Sequence, residues 1–181
     1  GREIENTIPK AVRAYPFTPL NNMLGPAGER WLPVHGLFPL SDVAGVIEAT
    51  HAFFARYQAD LDTHKIEWGY MFAAIGNNAL VFEPVFYWPD QWMPVQRRVP
   101  EQSHLAKLRE PGPNPAATAA VKKIKDALCV HFAELGAAHF QIGKTYLYKD
   151  YRNPVAWSLL EKIKTAVDPQ RRVNPKSLGL E

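Results

Sequence analysis

Residues 66–88 read IEWGYMFAAIGNNALVFEPVFYW, and this stretch decides the fold. Over 66–72, large apolar or aromatic side chains alternate with smaller or charged ones, which is the pattern of a strand with one aromatic face. The GNN sequence at 76–78 supplies residues that tolerate the positive φ angles of a tight turn. Residues 79–88 then form a return strand, in which Pro84 predicts a bulge or a sheet edge. We therefore predict an antiparallel hairpin.

The sequence on either side of the hairpin predicts an α+β domain. We expect strands over 31–36 and 137–143 and helices over 41–58, 115–135 and 154–167, with N-caps at Ser41, Asn114 and Asn153. The order β-α-β-β-α-β followed by a helix is typical of a ferredoxin-like antiparallel sheet with helices on one face. Prolines and the lack of periodicity indicate an extended arm over 1–30, and one domain is expected over 31–181, ending in a tail after the last helix. Residues 89–114 predict a long proline-rich loop.

The composition indicates a globular chain and excludes several classes of protein. Of the 181 residues, 46% are hydrophobic and 22% are charged, which excludes disordered and collagen-like chains. The net charge of +3 is too small to indicate a nucleic-acid partner. No apolar run is long enough for a transmembrane segment and no signal peptide is evident, so we expect a cytoplasmic protein. Because the chain begins with Gly1, we expect it to be part of a longer protein.

Motif searches exclude several kinds of site. The sequence contains neither of the glycine-rich phosphate-binding motifs and no G-x-S-x-G nucleophile motif. None of the six histidines has the spacing of a metal site, so we predict no metal. The single cysteine, Cys129, lies in the middle of a predicted helix, where a buried thiol is favoured over a nucleophile.

Two sets of polar residues on predicted strands are candidates for a site. His139, Gln141 and Gly143 would share one face of the strand over 137–143 and could bind a polar ligand. Glu83 and Tyr87 would share one face of the return strand and could orient a substrate or accept a proton. For both sets, a strand face that simply points to water remains an open alternative.

The C-terminal third also carries motifs that occur together in a known family. HFQIGKTY at 139–146, IKTAVDP at 163–169 and NPKSLGL at 174–180 resemble the C-terminal end of FAD-linked oxidases of the vanillyl-alcohol-oxidase type. This family includes p-cresol methylhydroxylase and relatives of D-lactate dehydrogenase. LGPAGERW at 24–31 and EPVFYWPD at 83–90 are also similar to family members, so the resemblance spans most of residues 24–181.

This resemblance implies a function and a partner. In the family, an N-terminal domain binds most of the FAD, and a ferredoxin-like cap domain covers the isoalloxazine and forms much of the substrate pocket. The chain resembles the cap alone. It would then be the substrate domain of an FAD-dependent oxidoreductase that oxidises an alcohol, phenol or hydroxy acid by hydride transfer to flavin. It would be inactive without an FAD-binding domain on the same or another polypeptide, and a homo-oligomer is left open.

The resemblance also implies roles for individual residues. Lys144 falls near the place where some members hold the anionic group of the substrate, and Asn174 matches an asparagine near the flavin. Lys176 departs from the family because it replaces the glycine of the NPG motif. The family's histidine-rich metal motif is also absent, which favours a metal-free mechanism. The expected site residues are His139 or Tyr87 as the base, Lys144, Gln141, Glu83 and Tyr146 around the substrate, and Asn174 and Pro175 at the flavin.

A non-catalytic binding function is also consistent with the ferredoxin-like order of strands and helices. The chain could be a stand-alone ferredoxin-like module that binds a small ligand or a partner protein without catalysis. Flavin binding together with an FAD-binding domain would distinguish the enzyme from such a module.

Overall fold

The computed structural model describes residues 20–139, 141 and 143–180. Most of the predicted N-terminal arm, together with Phe140, Ile142 and Glu181, therefore lies outside the described residues. In chain order the elements are strands β1 (Arg30–Pro33) and β2 (Gly36–Pro39), helices α1 (Val43–Ala55) and α2 (Gln58–His64), strands β3 (Glu67–Ile75) and β4 (Ala79–Trp88), and helices α3 (Pro94–Arg98), α4 (Gln102–Leu105), α5 (Pro115–Glu134) and α6 (Pro154–Val167). Short 3-10 turns lie at Asn21–Met23 and Ser177–Gly179. None of the helices in the described residues is both long and apolar enough to cross a membrane.

The predicted hairpin is confirmed, and β4 is the central strand of an antiparallel sheet. β3 pairs with β4 in one unbroken register, from Glu67 opposite Tyr87 to Ile75 opposite Ala79. β1 and β2 pair with the other side of β4. A four-stranded antiparallel sheet with helices confirms the α+β class, while the ferredoxin-like arrangement stays a prediction.

Pro84 lies in the middle of the sheet, so the predicted bulge or edge is wrong. β1 and β2 pair with β4 in one common register and form a single strand interrupted at Val34 and His35. The Val34 N–H donates to the Pro84 carbonyl at 2.9 Å, but proline has no N–H to donate in return. The proline is tolerated because the interruption in the neighbouring strand lies opposite it.

The core lies between the sheet and the helices. The aromatic face predicted for β3 is the face turned toward this core, where Trp68 stacks on Phe54 of α1 with ring centroids 3.9 Å apart. Phe72 stacks on Phe82 of the neighbouring strand at 5.1 Å. The largest fully buried side chains are Phe38, Phe53, Phe54, Phe82, Phe86 and Phe132. Burial of these rings stabilises the fold by the hydrophobic effect.

Two of the three predicted helix caps are confirmed. The side chain of Asn114 accepts the Ala117 N–H at the start of α5, and Asn153 accepts the Val155 N–H at the start of α6. The cap predicted at Ser41 is wrong, because its hydroxyl donates to the Asp42 side chain at 2.7 Å and α1 begins one residue later than that cap requires.

Three other predictions also need correction. The single helix expected over 41–58 ends at Ala55 and is followed by α2. The loop over 89–114 contains the short helices α3 and α4. The helical spacing of Trp157 or Ala156, Leu160, Ile163 and Val167 predicts a core face for α6, and this prediction holds only in part. Trp157 is half-buried, but Ile163 is 49% exposed and Val167 76% exposed, because nothing among the described residues packs over that side of the helix.

The strand predicted over 137–143 is reduced to one bridge. Ala138 exchanges two backbone hydrogen bonds with Leu37, at 2.8 and 3.0 Å, and no further strand pairing follows in the described residues of that segment. The chain leaves the sheet edge here, and Tyr146 returns to contact His35. His139, Gln141 and Gly143 therefore do not share the face of a strand.

Candidate functional site

A groove lies on the face of the sheet that the helices do not cover. Its volume is about 410 Å³, which is within the range of small-ligand sites. Its lining residues are Asn22, Trp31, Gly69, Tyr70, Met71, Glu83, Val85 and Tyr87. The lining is mostly apolar, with a few polar groups that could orient a ligand.

Glu83 is the acidic group of this groove. Its burial raises the pKa of its carboxyl above the usual value. His35 lies in the interruption between β1 and β2, and the common register of these strands continues there to the position opposite Glu83.

His35 is linked to Tyr146 by two hydrogen bonds. The Tyr146 hydroxyl accepts the backbone N–H of His35 at 3.0 Å and lies 2.7 Å from its ring Nδ1. Because the hydroxyl accepts the backbone proton, its own proton can be donated to Nδ1, which places the imidazole proton on Nε2. His35 is only 2% exposed, and burial lowers its pKa. Burial also raises the pKa of Tyr146 to about 12, so both groups are neutral at pH 7.

His139 completes this cluster. Its ring stacks on Tyr146 with centroids 4.0 Å apart and meets His35 edge-on at 5.4 Å. Burial, with a smaller effect from the charge of His35, lowers the pKa of His139 to about 4. Its Nδ1 is buried and has no hydrogen-bond partner among the described residues. We call His139, Tyr146, His35 and Glu83 the polar row, because the first three are in contact and Glu83 lies opposite His35 in the register of the sheet.

The structure brings some of the predicted site residues together and separates others. Glu83 and Tyr87 line the groove, and Tyr146 and His139 belong to the polar row. Gln141 is exposed and contributes to neither. Asn174 adopts a left-handed conformation (φ 44°) in the tail and lines a separate cavity of about 310 Å³, and Pro175 next to it is exposed.

Lys144 lies outside the groove but close to the polar row. It lines a cleft of about 220 Å³ together with Lys149 and Lys176. Tyr146 lines the same cleft, so this residue connects the lysines with His35. Asp150 also lines the cleft, and the Lys149 ammonium lies over the Trp157 ring at 4.7 Å from its centroid. The lining still carries a net positive charge, which favours an anion.

His35 is the member of the polar row that the sequence interpretation missed. The residue lies in the predicted strand WLPVHG at 31–36, but no motif or spacing indicated a role for it. Its alternation with Trp31 and Pro33 could have placed it on the outer face of the sheet. Its partner Tyr146 is 111 residues away, so only the tertiary structure shows the pair.

The described residues contain no cluster of metal-ligating side chains, and their one cysteine is buried. Within residues 20–139, 141 and 143–180, no three His, Cys, Asp or Glu side chains come together as metal ligands. Cys129 is buried, and burial raises the pKa of its thiol to about 11. A thiol of this kind stays protonated and is a poor nucleophile.

Comparisons with known proteins do not identify a family. No protein-family model, no curated protein and no solved structure matches the chain. The resemblance to FAD-linked oxidases therefore stays a prediction from the motifs. The function of the groove and the polar row is inferred from their chemistry.

Proposed function

We propose that the chain is the substrate domain of an FAD-dependent oxidoreductase that oxidises an alcohol, a phenol or a hydroxy acid. The observation that supports this proposal is the groove on the helix-free face of the sheet, bordered by the polar row. A cap of the family that the motifs resemble would turn this face toward the flavin.

The residues of the groove suit a planar ring. Trp31 and Tyr87 provide aromatic walls, and the space above Gly69 is open, because no atom lies within 4 Å of the position that a Cβ would take. The buried Nδ1 of His139 needs a hydrogen-bond partner. Because the chain lacks a phosphate-binding motif, we expect another domain to bind the rest of the FAD. When bound, FAD would supply the acceptor for the hydride that leaves the substrate carbon.

Glu83 is best placed to bind the reacting hydroxyl and accept its proton. It lies in the groove, and its raised pKa brings the carboxyl closer to the range of an efficient general base. Tyr87 offers a second polar contact from the same strand. His139, which the sequence interpretation proposed as a base, is better suited to position Tyr146, since its pKa of about 4 makes it a weak base.

The lysine cleft would hold the anionic part of the substrate. Lys144 and the two neighbouring lysines favour a carboxylate or phenolate by charge. Leu178 of the tail donates its backbone N–H to the Gly143 carbonyl at 2.8 Å, so the segment that contains Asn174 is attached beside this cleft. A contact of Asn174 and Pro175 with flavin remains part of the proposal.

The test uses the chain in complex with its FAD-binding domain. Candidate alcohols, phenols and hydroxy acids are mixed anaerobically with the complex, and reduction of the flavin is followed by absorbance. We expect Glu83→Gln to lower kcat by about 10²-fold or more. We expect Lys144→Met to raise KM for anionic substrates about tenfold, with a smaller effect on kcat.

Two exposed residues on the helical side provide matched controls. Lys122→Met and Glu48→Gln make the same chemical changes far from the groove, and both should leave kcat and KM unchanged. Equal activity of Glu83→Gln and the wild type would contradict the assigned role of Glu83. A chain that binds a small ligand in the groove but never acquires flavin would instead support the stand-alone binding module.

A further inference from the structure

The outer edge of β3 lacks the features that normally prevent strands from pairing with another chain. β3 spans nine residues, and none of the described residues pairs with the side that faces away from β4. Between Trp68 and Ile75 there is no charged residue and no proline, and pairing with β4 continues without a bulge. Four large side chains on this strand are 41–53% exposed: Tyr70, Met71, Phe72 and Ile75. Long apolar edges of this kind are usually blocked in monomeric proteins.

The hydrogen-bond pattern shows which backbone groups of β3 are available. Val34 donates its N–H to the Pro84 carbonyl, so even-numbered residues of β4 point their backbone groups toward β1 and β2. The odd-numbered residues of β4 then bond to β3, where Met71 lies opposite Glu83. In β3 the even-numbered residues therefore present their N–H and C=O groups to the open edge. They are Trp68, Tyr70, Phe72 and Ala74.

We propose that two copies of the protein pair their β3 strands antiparallel about a two-fold axis at Met71. In this register Tyr70 faces Phe72 of the second copy, and Trp68 faces Ala74 of the second copy. Tyr70 and Phe72 form an aromatic pair, and Trp68 packs a large side chain against the small Ala74. Both combinations are favourable between neighbouring strands. All the available backbone groups are used, which gives about eight hydrogen bonds.

Charge and symmetry favour a second copy over an unrelated partner. Glu67 is the only charged residue of β3 and meets Ile75 of the second copy, so no like charges face each other. A two-fold axis makes the same edge complementary to itself. Even-numbered residues stay on one face, so the two sheets become continuous, with the helices of both copies on the same side.

The dimer also changes the groove. Gly69, Tyr70 and Met71 form the side of the groove that lies next to the open edge of β3. In the dimer, Met71 of the second copy extends this wall. The proposed interface therefore encloses the groove without depending on the proposed oxidoreductase function.

The mass of the protein in solution tests the dimer. We expect light scattering to give twice the 20.4 kDa mass of one chain. Ala74→Pro removes an outward N–H while leaving the β3–β4 hydrogen bonds in place, so it should give the monomer mass. Ala74→Val keeps the N–H and should remain a dimer, and circular dichroism verifies that all variants are folded.

Charged variants of Met71 test the symmetry itself. Met71→Lys and Met71→Glu should each be monomeric, because like charges then meet at the two-fold axis. An equimolar mixture of the two should recover the dimer mass. The proposal would be overturned by a monomeric wild type, by a dimer that persists in Ala74→Pro or Met71→Lys, or by a mixture that stays monomeric.

Discussion

The two faces of strand β4 differ in what covers them. On the inner face Phe82, Phe86 and Trp88 are buried under the helices, in close aromatic contacts. On the outer face Glu83 and Tyr87 alternate with apolar residues and line an open groove. One strand thus separates a face that stabilises the fold from a face that can do chemistry. Substitutions on the two faces should therefore have different consequences.

Truncation on the inner face should have the largest effect on stability. Phe86 is fully buried, so Phe86→Ala removes buried apolar surface and leaves a cavity. We expect the free energy of unfolding to fall by about 3–5 kcal/mol, measured by denaturant titration. Leu159→Ala on α6, where the side chain is 60% exposed, should cost less than about 1 kcal/mol and serves as the control.

Acid should destabilise the fold through His139. In the unfolded chain this histidine takes up a proton below about pH 6.5, whereas in the folded protein its pKa of about 4 keeps it neutral. The free energy of unfolding should therefore fall as the pH decreases from 6.5 to 4, with up to about 3 kcal/mol due to His139.

The variant His139→Gln isolates this contribution. Unfolding curves at pH 7 and pH 4.5 should show a smaller difference in the variant than in the wild type. The half-buried His64 in α2 offers a matched control, since His64→Gln makes the same chemical change outside the polar row. An identical pH dependence in His139→Gln and the wild type would show that the neutral state of His139 is not linked to folding.

Loss of one hydroxyl should have an intermediate effect. Tyr146→Phe leaves the buried backbone N–H and the ring Nδ1 of His35 without the oxygen that they now contact. We expect a loss of about 1–3 kcal/mol in the free energy of unfolding. Tyr148→Phe changes a nearby tyrosine outside the polar row and should have little effect. Equal stabilities of the two variants would contradict the structural role of the hydroxyl.

Lys144 should contribute least to stability. Its side chain is exposed, and Lys144→Met should change the free energy of unfolding by less than about 0.5 kcal/mol. If Lys144→Met also raises KM in the complex with the FAD-binding domain, Lys144 contributes to substrate binding and not to the stability of the fold. A large loss of stability would instead indicate that the lysine cleft is a structural feature.

The sequence predicted the hairpin and two helix starts because these depend on nearby residues. The alternation of side chains over 66–88 and the GNN turn determine how β3 pairs with β4 and which side chains share a face of the sheet. Asn114 and Asn153 each cap the helix that directly follows them. Pro84 was misinterpreted because its effect depends on a distant strand, whose interruption at Val34 and His35 accommodates the missing donor.

The candidate site was predicted only in part for a similar reason. Glu83 and Tyr87 share a face by simple alternation, and the structure places both in the groove. The role predicted for His139 assumed a strand over 137–143 that the structure reduces to the bridge at Ala138. Without regular pairing, alternation says nothing about the direction of the side chains in that segment.

The sequence by itself determined the central hairpin, the α+β class and the aromatic face of β3, because hydrophobic periodicity and helix caps depend only on residues that are close together in the sequence. Only the tertiary structure decided that Tyr146 reaches His35 across 111 residues, and that the helix-free face carries a groove. These features depend on where the chain returns after α5, which is set by packing between distant segments rather than by local preference.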